Sequence, residues 1–130
     1  AKERTSLNIV SDQFGAPTSA ALLADVTAHA IHDIFRQRNI SSLSGIYHLT
    51  ASGVTNWYEY ASYVIEQARQ AGVPIAVPAD AIHPIGTKDY PTPAQRPANS
   101  RLDTQKVRQT FEIVLPDWKN GINHVLEQLF

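Results

Sequence analysis

The strongest constraint on what this chain can fold into is its supply of strands: three runs have strand character, and none exceeds six residues. Leu7-Asn8-Ile9-Val10 is the first, and residues 45–50, which alternate around Tyr47 and Leu49, are the second. The third, residues 73–78, is held between Pro74 and Pro78, which suits an edge because proline cannot donate to a ladder. Helical patterns fill the spaces between. Leu22, Leu23, Val26, Ala30, Ile31, Ile34 and Phe35 predict a helix over about 19–37, capped by Thr18 or Ser19, with Arg36 and Arg38 in its last turn. Trp57, Tyr60, Ala61, Val64, Ile65 and Ala68 predict a second, capped by Thr55 or Asn56 and stopped by Gly72. Asp103 opens a third containing Val107 and Phe111. Leu115-Pro116-Asp117 opens a fourth with Trp118, Ile122, Val125, Leu126 and Leu129 as its stripe.

This order of elements is α/β: three short strands, about four helices and some parallel pairing. Three strands of this length make a poor independent sheet. The expectation is therefore one small mixed domain over residues 1–130 whose strands extend a sheet on preceding polypeptide. The absence of methionine is a second hint that the chain is part of something longer.

Composition narrows the function classes. The 130 residues are 43% hydrophobic, enough for a core. Eleven basic against twelve acidic residues leave a net charge of −1, which argues against a nucleic-acid coat. No apolar run approaches the roughly 20 residues that span a bilayer, and no secretory leader is visible, so a soluble chain without membrane or nucleic-acid partners is expected. Zero cysteines exclude thiolate chemistry and fit a reducing, cytoplasmic compartment.

Local catalytic motifs are missing. There is no Gly-x-Gly-x-x-Gly, no phosphate-binding Gly-Lys-Ser/Thr loop and no Gly-x-Ser-x-Gly, and no tyrosine is followed four residues later by lysine. His29, His32, Asp25 and Asp33 share a helix at ligand-like spacing, but such clusters are ordinary on solvated faces, and no metal is expected. His48 and His83 are isolated.

The distribution of charge says more than its sum. Residues 5–34 contain three aspartates and no Lys or Arg, whereas residues 88–108 have a local net charge of +3, from Lys88, Arg96, Arg101, Lys106 and Arg108 against Asp89 and Asp103. This segment overlaps the end of a stretch with five prolines between 78 and 101, where the loop meets a helix start. An arginine held between prolines and a helix start is suited to clamp phosphate, because guanidinium binds its oxygens in pairs. A solvated basic surface fits the charge pattern equally well. Trp57, Tyr60 and Trp118 read as core residues. Gln13 and Phe14, just past the carboxyl end of the first strand, stand where α/β sheets bind ligands, and Tyr90 lies within the proline-rich loop.

Five stretches together resemble one family. Asp12-Gln13-Phe14-Gly15-Ala16-Pro17-Thr18, Leu23-Ala24-Asp25, residues 45–49, residues 90–102 with Arg96-Pro97-Ala98-Asn99-Ser100-Arg101-Leu102, and Leu115-Pro116-Asp117-Trp118 look like the C-terminal part of dTDP-4-dehydrorhamnose reductases. These are extended short-chain dehydrogenase/reductases. The resemblance implies a substrate domain, an N-terminal Rossmann partner domain that holds NADPH or NADH, and a dTDP-sugar substrate whose 4-keto group is reduced to give dTDP-L-rhamnose. It implies Arg96 on the diphosphate, Asn99 and Ser100 orienting the loop or the nucleotide, and Gln13 and Phe14 at the crevice. No catalytic residue and no cofactor are expected on this chain itself. Some relatives are described with magnesium bridging a dimer through carboxylates early in the first helix and near the chain end. Here those positions read Thr18-Ser19-Ala20-Ala21 and Glu127-Gln128-Leu129-Phe130, so a homodimer remains a candidate but a metal bridge does not. The alternative reading is a non-catalytic regulatory or binding module of the same fold.

Overall fold

The computed structural model describes residues 1–37 and 43–129; Arg38 lies outside them. Strand β1 (Leu7–Val10) pairs in parallel with β4 (Ile82–Ile85), in register from Leu7 opposite Ile82 to Val10 opposite Ile85. Two dipeptide strands, β2 (Phe14–Gly15) and β3 (Thr55–Asn56), pair antiparallel, with Phe14 opposite Asn56. Four helices complete the mixed α/β architecture among the described residues: α1 (Ala20–Gln37), α2 (Trp57–Gln70), α3 (Gln105–Thr110) and α4 (Trp118–Glu127). None of them is long and apolar enough to cross a membrane.

Side-chain caps fix where the helices begin. Ser19 Oγ accepts from Leu22 N at 3.2 Å, Asn56 Oδ1 from Glu59 N at 2.9 Å and Asp117 Oδ1 from Lys119 N at 3.0 Å, while α3 has Thr104 as its N-cap without a side-chain bond and Asp103, one residue earlier, accepts from Gln105 N at 2.8 Å. The end of α2 is equally local. Gly72 takes φ +80°, a conformation that costs a Cβ-bearing residue about 1–2 kcal/mol, and lets Val73 N reach back to Ala68 O at 3.0 Å.

Two apolar clusters form the core. Val26 of α1 packs with Val107, Phe111 and Leu115, joined by Leu22, Ala30, Tyr47 and Leu49. Ile65 of α2 packs with Val77 and Ile82, joined by Leu7, Ile9, Tyr58 and Ile75. Only one edge of the α1 apolar pattern is used, since Leu23, Ile31 and Phe35 remain exposed.

Two expected strands are corrected. Residues 45–50 do alternate in burial, with Tyr47 and Leu49 inward and Ile46 and His48 outward, but among the described residues no strand runs alongside to form a ladder. Extended propensity without a neighbour leaves an extended coil. Residues 73–78 are also coil: Val77 is fully buried and Ile75 packs beside it, while the amides of Ala76 and Val77 donate to Ala1 O at 3.1 and 3.3 Å. The partner of β1 is instead Ile82-His83-Pro84-Ile85, where Pro84 is tolerated on a two-stranded edge.

Candidate functional site

The dipeptide β2 organises the site. On one side Phe14 pairs with Asn56; on the other, Phe14 N donates to Ala98 O at 2.9 Å and Ser100 N donates to Phe14 O at 2.8 Å. This backbone junction brings three distant segments together, namely 8–18, the start of α2 and the proline-rich arm at 90–100. Between them opens a cleft of about 1120 Å³. Its walls include Gln13, Phe14, Trp57, Tyr60, Tyr90 and Arg96.

Four of the five residues singled out from the sequence line this cleft: Gln13, Phe14, Arg96 and Ser100. Among the described residues, nothing hydrogen-bonds or ion-pairs with the Arg96 guanidinium, so its donors are available to a ligand. Gln13 lines the wall with its amide committed, since Nε2 donates to Thr87 Oγ1 at 3.1 Å. Asn99 is not on the wall. Its Oδ1 accepts from Arg101 N at 3.1 Å and from Arg101 Nε at 2.9 Å, so it shapes the turn next to Ser100. That contact also restrains Arg101, and Lys106 is occupied too, donating to Ile46 O at 2.9 Å over the Tyr47 ring. The basic segment is thus divided by structure, with Arg96 alone of its five cations on the cleft wall.

Two aromatic residues read as core belong to the site. Trp57 is 57% exposed, and half-buried Tyr60 meets it edge-on at 6.1 Å; both line the cleft. Helical spacing cannot distinguish a core stripe from a pocket wall. The available signal was position: Trp57 directly follows the cap Asn56, at a helix end, where a wide side chain can overhang the neighbouring strand. Trp118 is buried as expected.

The histidine cluster on α1 does not converge on one point. His29 Nε2 and His32 Nδ1 lie 3.5 Å from opposite oxygens of Asp33, and His29 Nε2 also contacts Phe111 O at 3.1 Å. Among the described residues no group of three or more such side chains could hold a metal ion.

Asp12 anchors the start of the arm, at Thr87. Both its carboxylate oxygens lie 3.0 Å from Thr87 N, and Oδ1 accepts from Thr87 Oγ1 at 2.6 Å. The Thr87 hydroxyl, and then its amide, hold the Asp12 carboxyl below its ordinary value of 3.8. A depressed carboxyl stabilises the fold fully above the unfolded value and loses that contribution as pH falls through the folded one. Asp12→Asn should therefore flatten the acid limb of stability against pH, with little change in its slope above about pH 5. Urea midpoints across the acid range measure this, and an unchanged acid limb would contradict it.

Comparisons with known proteins place the whole chain in one family. The family model described as RmlD substrate binding domain matches residues 1–130. The dTDP-4-dehydrorhamnose reductase of Escherichia coli K12 is 52% identical over all of this chain, which covers 42% of that protein; the Shigella flexneri reductase is 50% identical with the same coverage. The chain thus spans about two fifths of the length of these curated relatives. Among solved structures, the Bacillus anthracis reductase in complex with NADP superposes with a TM-score of 0.78 at 27% identity, covering 98% of this chain and 40% of that one. The stretches that suggested the resemblance lie within an end-to-end family match, and the chain belongs to the RmlD substrate-binding domain family.

Proposed function

We propose that this chain is the substrate-holding part of a dTDP-4-dehydrorhamnose reductase, and that its cleft takes the dTDP-sugar. The observation that carries the reading is Arg96: a guanidinium with no partner among the described residues, on a cleft wall it shares with Phe14, Trp57 and Tyr90. A guanidinium is matched to diphosphate oxygens, and the aromatic faces suit a nucleobase or the apolar face of a sugar. Gln13 and Ser100 border the same space and would orient the ligand, while Asn99 would act through the turn it shapes.

The full-length protein would reduce the 4-keto group of dTDP-4-dehydro-6-deoxy-L-mannose to dTDP-L-rhamnose in the cytoplasm, with NADPH as hydride donor. The residues of this chain do not form the glycine-rich cradle that ordinarily takes a dinucleotide pyrophosphate. The cofactor and the Tyr-x-x-x-Lys pair would therefore belong to an N-terminal dinucleotide-binding domain. This chain's share of the work is to bind and orient the nucleotide-sugar.

Calorimetric titration with thymidine, dTMP and dTDP tests the reading. Affinity should rise with each phosphate, by roughly tenfold or more where a charge-assisted hydrogen bond worth about 1.5–3 kcal/mol is gained. The chain alone should not oxidise NADPH. Equal affinity for thymidine and dTDP would remove the diphosphate from the site, and steady turnover would place the hydride machinery on this chain.

A further inference from the structure

We propose that Asp12 and Thr87 form a latch whose task is to position the arm that holds Arg96, so that Asp12 is a positioning residue for nucleotide binding. The inference rests on the function proposed above and goes beyond it in naming what sets the clamp in place. Residues 87–100 are fastened to segment 11–14 at two points. At the far point Phe14 bonds Ala98 and Ser100 through the backbone. At the near point Ser11 N and Oγ donate to Ile85 O at 2.9 and 3.2 Å, and Asp12 takes both the amide and the hydroxyl of Thr87.

The donor and acceptor roles at Thr87 are mutually consistent. Its hydroxyl donates to Asp12 Oδ1 and accepts from Gln13 Nε2, so one threonine joins two adjacent residues of the Asp12-Gln13-Phe14-Gly15 stretch. Between the fastenings, every residue from Lys88 to Ser100 is exposed. In the interior of the arm, Tyr90 N bonds back to Thr87 O and Thr92 Oγ1 bonds to Ala94 O, both within the arm itself. The position of Arg96 over the cleft therefore depends on the two ends. A loop held in its binding geometry need not be ordered by the ligand, which is the general basis of preorganised affinity.

The sign of the effect separates a latch from a simple charge. Asp12 is not on the cleft wall, so removing its negative charge could act on an anionic ligand only by weakening repulsion, which would tighten binding. A latch predicts the opposite. Asn at position 12 keeps a carbonyl oxygen but loses the negative charge that strengthens both Thr87 bonds, and it puts an amide group where the second carboxylate oxygen faces Thr87 N.

The test is dTDP titration of the 130-residue chain and of Asp12→Asn, Thr87→Val and Thr87→Ser, each also combined with Arg96→Ala, with the thermal midpoint recorded for every variant. Asp12→Asn and Thr87→Val should weaken dTDP binding by roughly tenfold, about the worth of one well-placed interaction. Thr87→Ser keeps the hydroxyl and should stay within about twofold of the unsubstituted chain. Because the latch acts through Arg96, the Asp12→Asn loss should shrink below about twofold once Arg96 is alanine. Unchanged or tighter binding by Asp12→Asn, alongside weakened binding by Arg96→Ala, would overturn the latch alone. The same tenfold loss in both backgrounds would also overturn it, since that is what general destabilisation produces. Wild-type binding by Arg96→Ala would instead contradict the diphosphate reading, and the latch with it.

Discussion

Trp118→Ala should destabilise this chain by about 3–5 kcal/mol, the range for truncating a large buried aromatic residue and a large part of the 5–15 kcal/mol that holds a typical domain folded. Trp118 is 5% exposed at the first turn of α4, where its amide donates to Ser52 O at 3.0 Å. Its ring meets Tyr63 edge-on at 5.4 Å and Tyr60 at 6.2 Å, so it wedges α4 against α2. The same Tyr60 contacts Trp57 on the cleft side. A cavity at Trp118 thus removes support from the aromatic wall as well as from the core. The loss should appear as a lower urea midpoint at nearly constant slope, and Trp118→Phe should recover much of it. A midpoint within about 0.5 kcal/mol of the unsubstituted chain, the spread of ordinary surface changes, would mean that α2 and α4 are held together by something else.

Helix boundaries were legible in the sequence because the groups that set them act over a few residues. Asn56, Asp117 and Gly72 each cap or stop a helix by a local bond or a local backbone conformation, and each was readable from its type and place. The ladders were not, because pairing depends on residues some 75 positions apart. Residues 45–50 have better strand composition than Ile82-His83-Pro84-Ile85, yet only the latter find a partner, and Pro84 concealed it. The site divides in the same way. Gln13, Phe14, Arg96 and Ser100 were found through their motifs and through the charge of the arm. Trp57 was misread because a helical stripe looks the same facing a core or a cleft. For Asn99 two roles were open, orienting the loop or the nucleotide, and its carboxamide turns to Arg101 within the loop, a choice nothing in its motif decides.

Arg96→Ala should weaken dTDP binding by about 1.5–3 kcal/mol, roughly ten- to 150-fold. The side chain stands on the cleft wall with no protein partner among the described residues, so its removal takes donors from a ligand and leaves no buried acceptor behind in the protein. The fold should be indifferent: residues 94–97 are exposed, and the backbone bonds that fix the arm belong to Phe14, Ala98 and Ser100. Arg96→Lys keeps the charge and loses the two-pronged geometry, so it should fall between wild type and alanine. Paired dTDP titrations of the chain and its Arg96→Ala variant, at equal thermal midpoints, are the most direct measurement. A loss of tenfold or more that disappears when thymidine replaces dTDP is the expected result; equal dTDP affinities for the two proteins would contradict the account.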